Sequence, residues 1–308
     1  MLLHELTRYL QIPYLAENIS NKRKNMMQFI KVPFISAAGD QIPAIGYGTM
    51  LFPEPERAVE LIAGSLECGY RHIDTARKYG SEDWVGEGIR ASGVPREDIW
   101  VTTKVTEENA KADNFARSVD ISLKTLGLDY VDLLLVHWPQ PRVPLEETLG
   151  ALAKARREGL AKNIGLSNFT VALIDEAVAK CSEPLFTNQI EYHAYIRQDK
   201  VIAACNKHGL LITCHVPLAR GAVLEDPVIR GVANAHGKTA AQVALKWLIQ
   251  QPNMVVVPRA LEHSEIAENI DIFDFELTVN EMEKISELGT RNLRIVDPEV
   301  RRPVWDEL

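Results

Sequence analysis

The sequence predicts a single α/β domain of the (β/α)8 type, a TIM barrel with an N-terminal β-hairpin and two extra helices. Three observations predict it. Short apolar, β-rich stretches alternate with helical stretches from about residue 44 to 258, eight of each. Several of the stretches, such as MVVVP at 254–258, are apolar without interruption, as suits parallel strands covered on both faces. The 308 residues are 46% hydrophobic and 25% charged, which supplies one large core in a chain of ordinary barrel length.

The strands are expected at 44–49, 71–75, 99–104, 131–137, 163–167, 186–190, 210–215 and 254–258. The first helix opens at Pro55 and Glu56 and stops at Gly69, because proline fits a first helical turn and glycine its end. Helices follow at 82–92, 114–126, 144–159, 171–181, 200–208, 240–250 and 279–288. Ahead of the first strand, 30–36 and 41–42 flank Ala37, Ala38, Gly39 and Asp40, a turn-forming run that predicts a hairpin able to plug the barrel floor. Two further helices, 228–235 and 264–270, stand outside the alternation. Residues 1–25 are expected to form a poorly ordered arm rather than a secretion signal, with the barrel domain spanning 26–308. An open doubly wound sheet would give the same alternation, so periodicity leaves the closure of the sheet undecided.

Composition excludes several functions. A net charge of −8 opposes a surface built to neutralise nucleic-acid or membrane phosphates, and no apolar run reaches the ~20 residues of a membrane span. The four cysteines, Cys68, Cys181, Cys205 and Cys214, have no C-x-x-C spacing and suit buried thiols in a reducing, cytoplasmic compartment. No histidine pattern demands a metal. The expected partner is a small molecule.

Barrel chemistry is assembled at the C-terminal ends of strands, and four residues lie there. Asp74 ends the second strand, Tyr79 follows five residues later, Lys104 ends the third strand and His137 the fourth. Each alone has a plain structural explanation: a buried ion pair, a half-buried aromatic, a core histidine. Together, in the segments RHIDTARKYG at 71–80, TTKV at 102–105 and LVHWP at 135–139, they resemble the catalytic tetrad of the aldo-keto reductases. The resemblance extends over nearly all of residues 28–300, including IGLSNF at 164–169 and NQIEY at 188–192. The short C-terminal end, 291–298, looks most like the bacterial branch containing 2,5-diketo-gluconate reductases.

The resemblance implies reduction of aldehydes and ketones by NAD(P)H, by a monomer acting on a small-molecule carbonyl. Proton delivery by a phenol whose pKa is ordinarily ~10 needs help, so Lys104 would ease the ionisation of Tyr79. Asp74 would hold Lys104 cationic, and His137 would orient the substrate oxygen. Ser167, Asn168 and Gln189 resemble the side chains that read the nicotinamide carboxamide, with Thr49 and Leu218 as further cofactor contacts. His215 stands where the family places a stacking aromatic, usually tyrosine. Met50 and Trp138 match positions lining the substrate mouth. After the eighth strand, Arg259, Glu265, Glu268 and Asn269 match the adenosine site, the last two as the adenine-binding pair. NADP is the implied cofactor, but Glu265 replaces a cation that faces its 2′-phosphate, so NAD is admitted as a competitor. Two other readings stand beside catalysis: a cofactor-binding regulatory subunit with little turnover, and a barrel isomerase or aldolase using Lys104 as a Schiff-base nucleophile.

Overall fold

A computed structural model describes residues 31–52 and 54–306 of the chain. The arm expected at 1–25 and the hairpin start expected at Ile30 lie outside the described residues. The hairpin itself is present as β1, Phe34–Ala37, paired antiparallel with β2, Asp40–Pro43, around Ala38 and Gly39, both at positive φ.

Eight parallel strands follow in sequential order: β3 Tyr47–Gly48, β4 His72–Asp74, β5 Trp100–Val105, β6 Val131–Val136, β7 Ala161–Ser167, β8 Leu185–Glu191, β9 Leu211–His215 and β10 Met254–Val256. The sheet closes on itself. Gly46 N donates to Val256 O at 2.8 Å, Val256 N to Ala44 O at 3.0 Å and Gly48 N to Pro258 O at 2.9 Å, with Ile45 bridging Val256. These bonds join the first strand to the last, the point that periodicity alone left open. Gly48 is required at the seam, since a Cβ there would lie 2.8 Å from Val257 O.

The regular ladder of the first strand is shorter than the expected 44–49, because residues 44–46 pair across the seam as isolated bridges. The second and eighth strands are likewise trimmed to three residues each, and the fifth begins earlier, at Ala161. The helices are α1 Pro55–Glu67, α2 Glu82–Ser92, α3 Ala112–Leu126, α4 Leu145–Arg157, α5 Val171–Lys180, α6 Asp199–Lys207, α7 Pro227–His236, α8 Ala240–Ile249, α9 His263–Ile270 and α10 Val279–Glu287. The two expected extra helices are α7 and α9.

The hairpin plugs the floor. Ile42 joins Trp100, Leu133, Leu135, Phe186, Leu211 and Val255 in one buried cluster, with Ile35 and Ala37 packed on it. Trp100 and Leu211 open their strands and Phe186 is second in its own, so this cluster seals the N-terminal end of the barrel. Asp40, at the hairpin turn, accepts a hydrogen bond from Asn163 at 2.7 Å. With the floor closed, the opposite rim is left for chemistry.

Candidate active site

The rim brings the four tetrad candidates together. Asp74 ends β4 and Lys104 lies in β5, both side chains pointing into the barrel, and Lys104 Nζ meets Asp74 Oδ1 at 2.6 Å. The same ammonium donates to Thr75 O at 2.8 Å, and the lysine is fully buried. Burial would push its pKa down, but Asp74 and Tyr79 outweigh burial and hold it above the usual lysine value.

Tyr79 ends a single 3-10 turn, Arg77–Tyr79, closed by Gly80 at φ 67°. Its ring lies 5.2 Å from Lys104 Nζ and 5.9 Å, edge-on, from the ring of His137. Burial raises the Tyr79 pKa, and Lys104 opposes that rise without cancelling it. His137 follows β6, with its backbone N–H on Val105 O at 2.9 Å and its Nδ1 buried without a partner. Burial, then Lys104, His215, Arg301 and Lys78, depress its pKa well below the ordinary imidazole value, so the ring is neutral at pH 7.

The polar residues expected at the nicotinamide form one network with this group. Gln189 Nε2 donates to the second oxygen of Asp74 at 2.8 Å, and Thr49 Oγ1 to the Asp74 carbonyl at 3.0 Å. Asn168, left-handed at φ 63°, donates through Nδ2 to His137 O at 2.9 Å and to Ser167 Oγ at 3.0 Å. His215 Nε2 lies 3.2 Å from Asn168 Oδ1 and, as neutral imidazole, is the donor. Burial carries its pKa down to about 4 against the pull of Glu191, so the ring does not carry the positive charge that would repel an oxidised nicotinamide. Beyond it Val216 adopts φ 53°, a strained conformation for a β-branched residue, before Leu218 leads into the 3-10 segment Ala219–Glu225.

These residues fit a nicotinamide amide. Ser167, Asn168 and Gln189 are buried side by side at the ends of β7 and β8, and the Ser167 hydroxyl, accepting from Asn168, retains its own proton to donate.

The residues expected at the adenosine end are organised differently. Arg259 Nη1 donates to Met50 O at 3.3 Å and Leu51 O at 3.0 Å, tying the two sides of the rim. Glu265 is exposed but does not stand free. Its Oε2 accepts from Leu261 N at 2.7 Å and Glu262 N at 3.2 Å, capping the start of α9. Glu268 Oε1 accepts from Thr239 Oγ1 at 2.6 Å, and Asn269 is buried beside it.

One wall of the mouth was not read from the sequence. Glu191, the last residue of β8, accepts Ile295 N at 2.6 Å and Val296 N at 2.7 Å, and so pins the C-terminal tail to the rim. Trp305 then packs edge-on to Trp138, with ring centroids 6.1 Å apart, while the Arg294 guanidinium stacks on Trp305 at 3.8 Å. Arg301 lies 5.5 Å from the Trp138 ring. The available signal was the tryptophan near the end of the tail, a residue type that is seldom left without a packing partner.

No described helix is long and apolar enough to cross a membrane, and no metal-ligating cluster occurs among the described residues. The model of the aldo/keto reductase family matches residues 44–290. The chain is 40% identical over 268 residues to a methylglyoxal reductase of Escherichia coli O157:H7, covering 86% of this chain and 99% of that one. It is 36% identical over 252 residues to a 9,11-endoperoxide prostaglandin H2 reductase of Trypanosoma cruzi, covering 81% and 88%. Among solved structures, an aldo-keto reductase of Bombyx mori in complex with NADP superposes with a TM-score of 0.81 at 32% identity, covering 87% of this chain and 95% of that one. With the closed barrel, the family match and these relatives in agreement, the chain belongs to the aldo/keto reductase family and is an NAD(P)H-dependent oxidoreductase.

Proposed function

We propose that the protein reduces small aldehydes and ketones to alcohols with Tyr79 as the general acid. The observation that carries this reading is the fully buried Lys104, held by Asp74 at 2.6 Å and set against the Tyr79 ring. A bound nicotinamide supplies the hydride. The chain supplies the proton: as negative charge grows on the carbonyl oxygen, the Tyr79 hydroxyl donates, and the adjacent ammonium stabilises the phenolate left behind. Neutral His137 donates an N–H to the same oxygen and sets its orientation. Asp74 keeps Lys104 charged, which also argues against the Schiff-base reading, since a nucleophilic amine must be unprotonated. Met50, Trp138 and the tail residue Trp305 wall the substrate mouth and exclude water.

Ser167, Asn168 and Gln189 would hold the carboxamide, with His215 against the nicotinamide ring and Thr49 and Leu218 at its flanks. At the other end, Glu268 and Asn269 would take the adenine, and NADPH and NADH compete closely. In support, the Glu265 carboxylate already occupies the two backbone N–H groups at the start of α9, and Arg259 is engaged by two carbonyls. A 2′-phosphate there would meet a fixed negative charge and only one cation, already engaged. The test is NAD(P)H oxidation with methylglyoxal and a panel of aldehydes. Turnover with either nucleotide supports the reading, whereas tight nucleotide binding without turnover favours the regulatory-subunit alternative.

A further inference from the structure

Helices usually place first-turn carboxylates in solvent, where they complement the helix dipole. Asp83 does so in α2, but Glu82, one residue before it, is 3% exposed. Its Oε1 accepts the Thr103 hydroxyl at 2.6 Å, and its Oε2 lies 3.8 Å from the Arg77 guanidinium. Burying a carboxylate is costly, and the cost is offset only where hydrogen bonds and charge are supplied. Burial raises the Glu82 pKa, while Thr103, Ser122 and Arg77 pull it down, so these three groups are what keep the carboxylate tolerable there.

The partners are placed so that both reacting groups depend on them. Thr103 immediately precedes Lys104 on β5, its side chain facing outward where that of Lys104 faces inward. Arg77 opens the one-turn 3-10 segment that Tyr79 ends. That turn is otherwise held by two backbone hydrogen bonds, Tyr79 N to Ala76 O at 2.9 Å and Gly80 N to Arg77 O at 3.2 Å, and by the exposed ion pair of Lys78 with Glu108 at 2.8 Å. A single short turn of this kind is easily displaced. From behind the barrel wall, Glu82 therefore grips the segment carrying the phenol and the strand carrying the ammonium at the same time.

We propose that Glu82 is a positioning residue for proton transfer, a buried clamp that fixes the distance between Tyr79 and Lys104 without touching substrate. The proposal rests on the reading of Tyr79 as the acid. Small displacements between such groups are costly in rate, because the ammonium must lie beside the oxygen when charge develops on it.

The experiment measures kcat, KM, nicotinamide-nucleotide affinity and the solvent deuterium isotope effect on kcat, using methylglyoxal, in three variants. Glu82→Ala loses both grips and should lower kcat at least about tenfold while KM and nucleotide affinity stay within about twofold. Its isotope effect should rise as proton donation becomes limiting. Thr103→Val is nearly isosteric and removes one grip, so it should lower kcat about threefold in the same pattern even if Glu82→Ala fails to fold. Glu82→Gln keeps an acceptor for Thr103 and should recover most of the loss. Equal changes in kcat and KM, an unmoved isotope effect, or Thr103→Val indistinguishable from the parent would overturn the clamp. A parent protein that binds nucleotide but reduces no aldehyde would instead defeat the proposed function, so the two failures can be told apart.

Discussion

The two ends of the proposed cofactor groove are built on opposite plans. At the nicotinamide end, Asp74, Lys104, Gln189 and Asn168 are buried, and each finds its partner on a different strand of the barrel. At the adenosine end, Glu265 and Arg259 are exposed, and they bond to backbone groups of α9 and of the loop after the first strand. A buried charge whose partner is removed leaves an uncompensated ion, whereas an exposed one is resolvated by water. Substitutions at the first end should therefore abolish chemistry, and those at the second should retune nucleotide choice while chemistry continues.

The largest expected effect tests the first half of that contrast. Tyr79→Phe should lower kcat by ~10²-fold or more, about 3 kcal/mol of transition-state stabilisation, with nucleotide affinity within a few-fold. Steady-state rates check it, and retention of more than about a tenth of parental kcat would remove Tyr79 from the role. Lys104→Met should do comparable damage.

Burial inside the barrel also sets an acid limit on stability. His72 is fully enclosed between Gly46 and Thr102, and burial lowers its pKa to about 4. An unfolded imidazole titrates near ~6.5, so between those values the unfolded chain binds a proton that the folded chain refuses. This contribution is intact above pH ~6.5 and is lost as the pH falls towards 4, up to roughly 3 kcal/mol. Thermal melts across that window should show the decline, and His72→Gln, which can still bond Thr102, should make it shallower, with His137 and His215, also depressed by burial, supplying the remainder. A slope unchanged in the variant would place the acid sensitivity elsewhere.

Glu265→Arg probes the second half. Exchanging the carboxylate for a guanidinium should move the NADPH to NADH ratio of kcat/KM towards NADPH by about ten- to a hundredfold, ~1–3 kcal/mol at a surface dielectric. The kcat with saturating NADH should be left nearly constant. A parent strongly selective for NADPH, unmoved by the substitution, would mean that Glu265 does not face the nucleotide. The smallest effect is expected at His215, beside Asn168 at the first end but outside the candidate tetrad. His215→Tyr should tighten nucleotide binding a few-fold, under ~1 kcal/mol, by offering a larger aromatic face. A fluorescence titration showing weaker binding would instead give priority to the bond that His215 makes to Asn168.

The same contrast separates what was legible in the sequence from what was not. Alternating apolar strands and helices, the hairpin before them and the placing of Asp74, Lys104 and His137 at strand ends follow from local periodicity and chain spacing. Once a strand is buried on both faces, its register dictates where its last side chain points, and the sequence therefore determined the strands and the strand-end members of the candidate tetrad together. Closure was not local: the bonds of Gly46 and Gly48 to Val256 and Pro258 join segments some two hundred residues apart. Nor could spacing say that Glu265 turns back onto its own helix, that Arg259 is captured by Met50 and Leu51, or that Glu82 faces Thr103. Long charged side chains have many rotamers of similar energy, and which one persists depends on donors and acceptors that only the folded chain brings within reach. For the same reason the tail's Trp305 found Trp138 only in the tertiary structure, because an aromatic in a terminal tail specifies that it needs a partner but not which one.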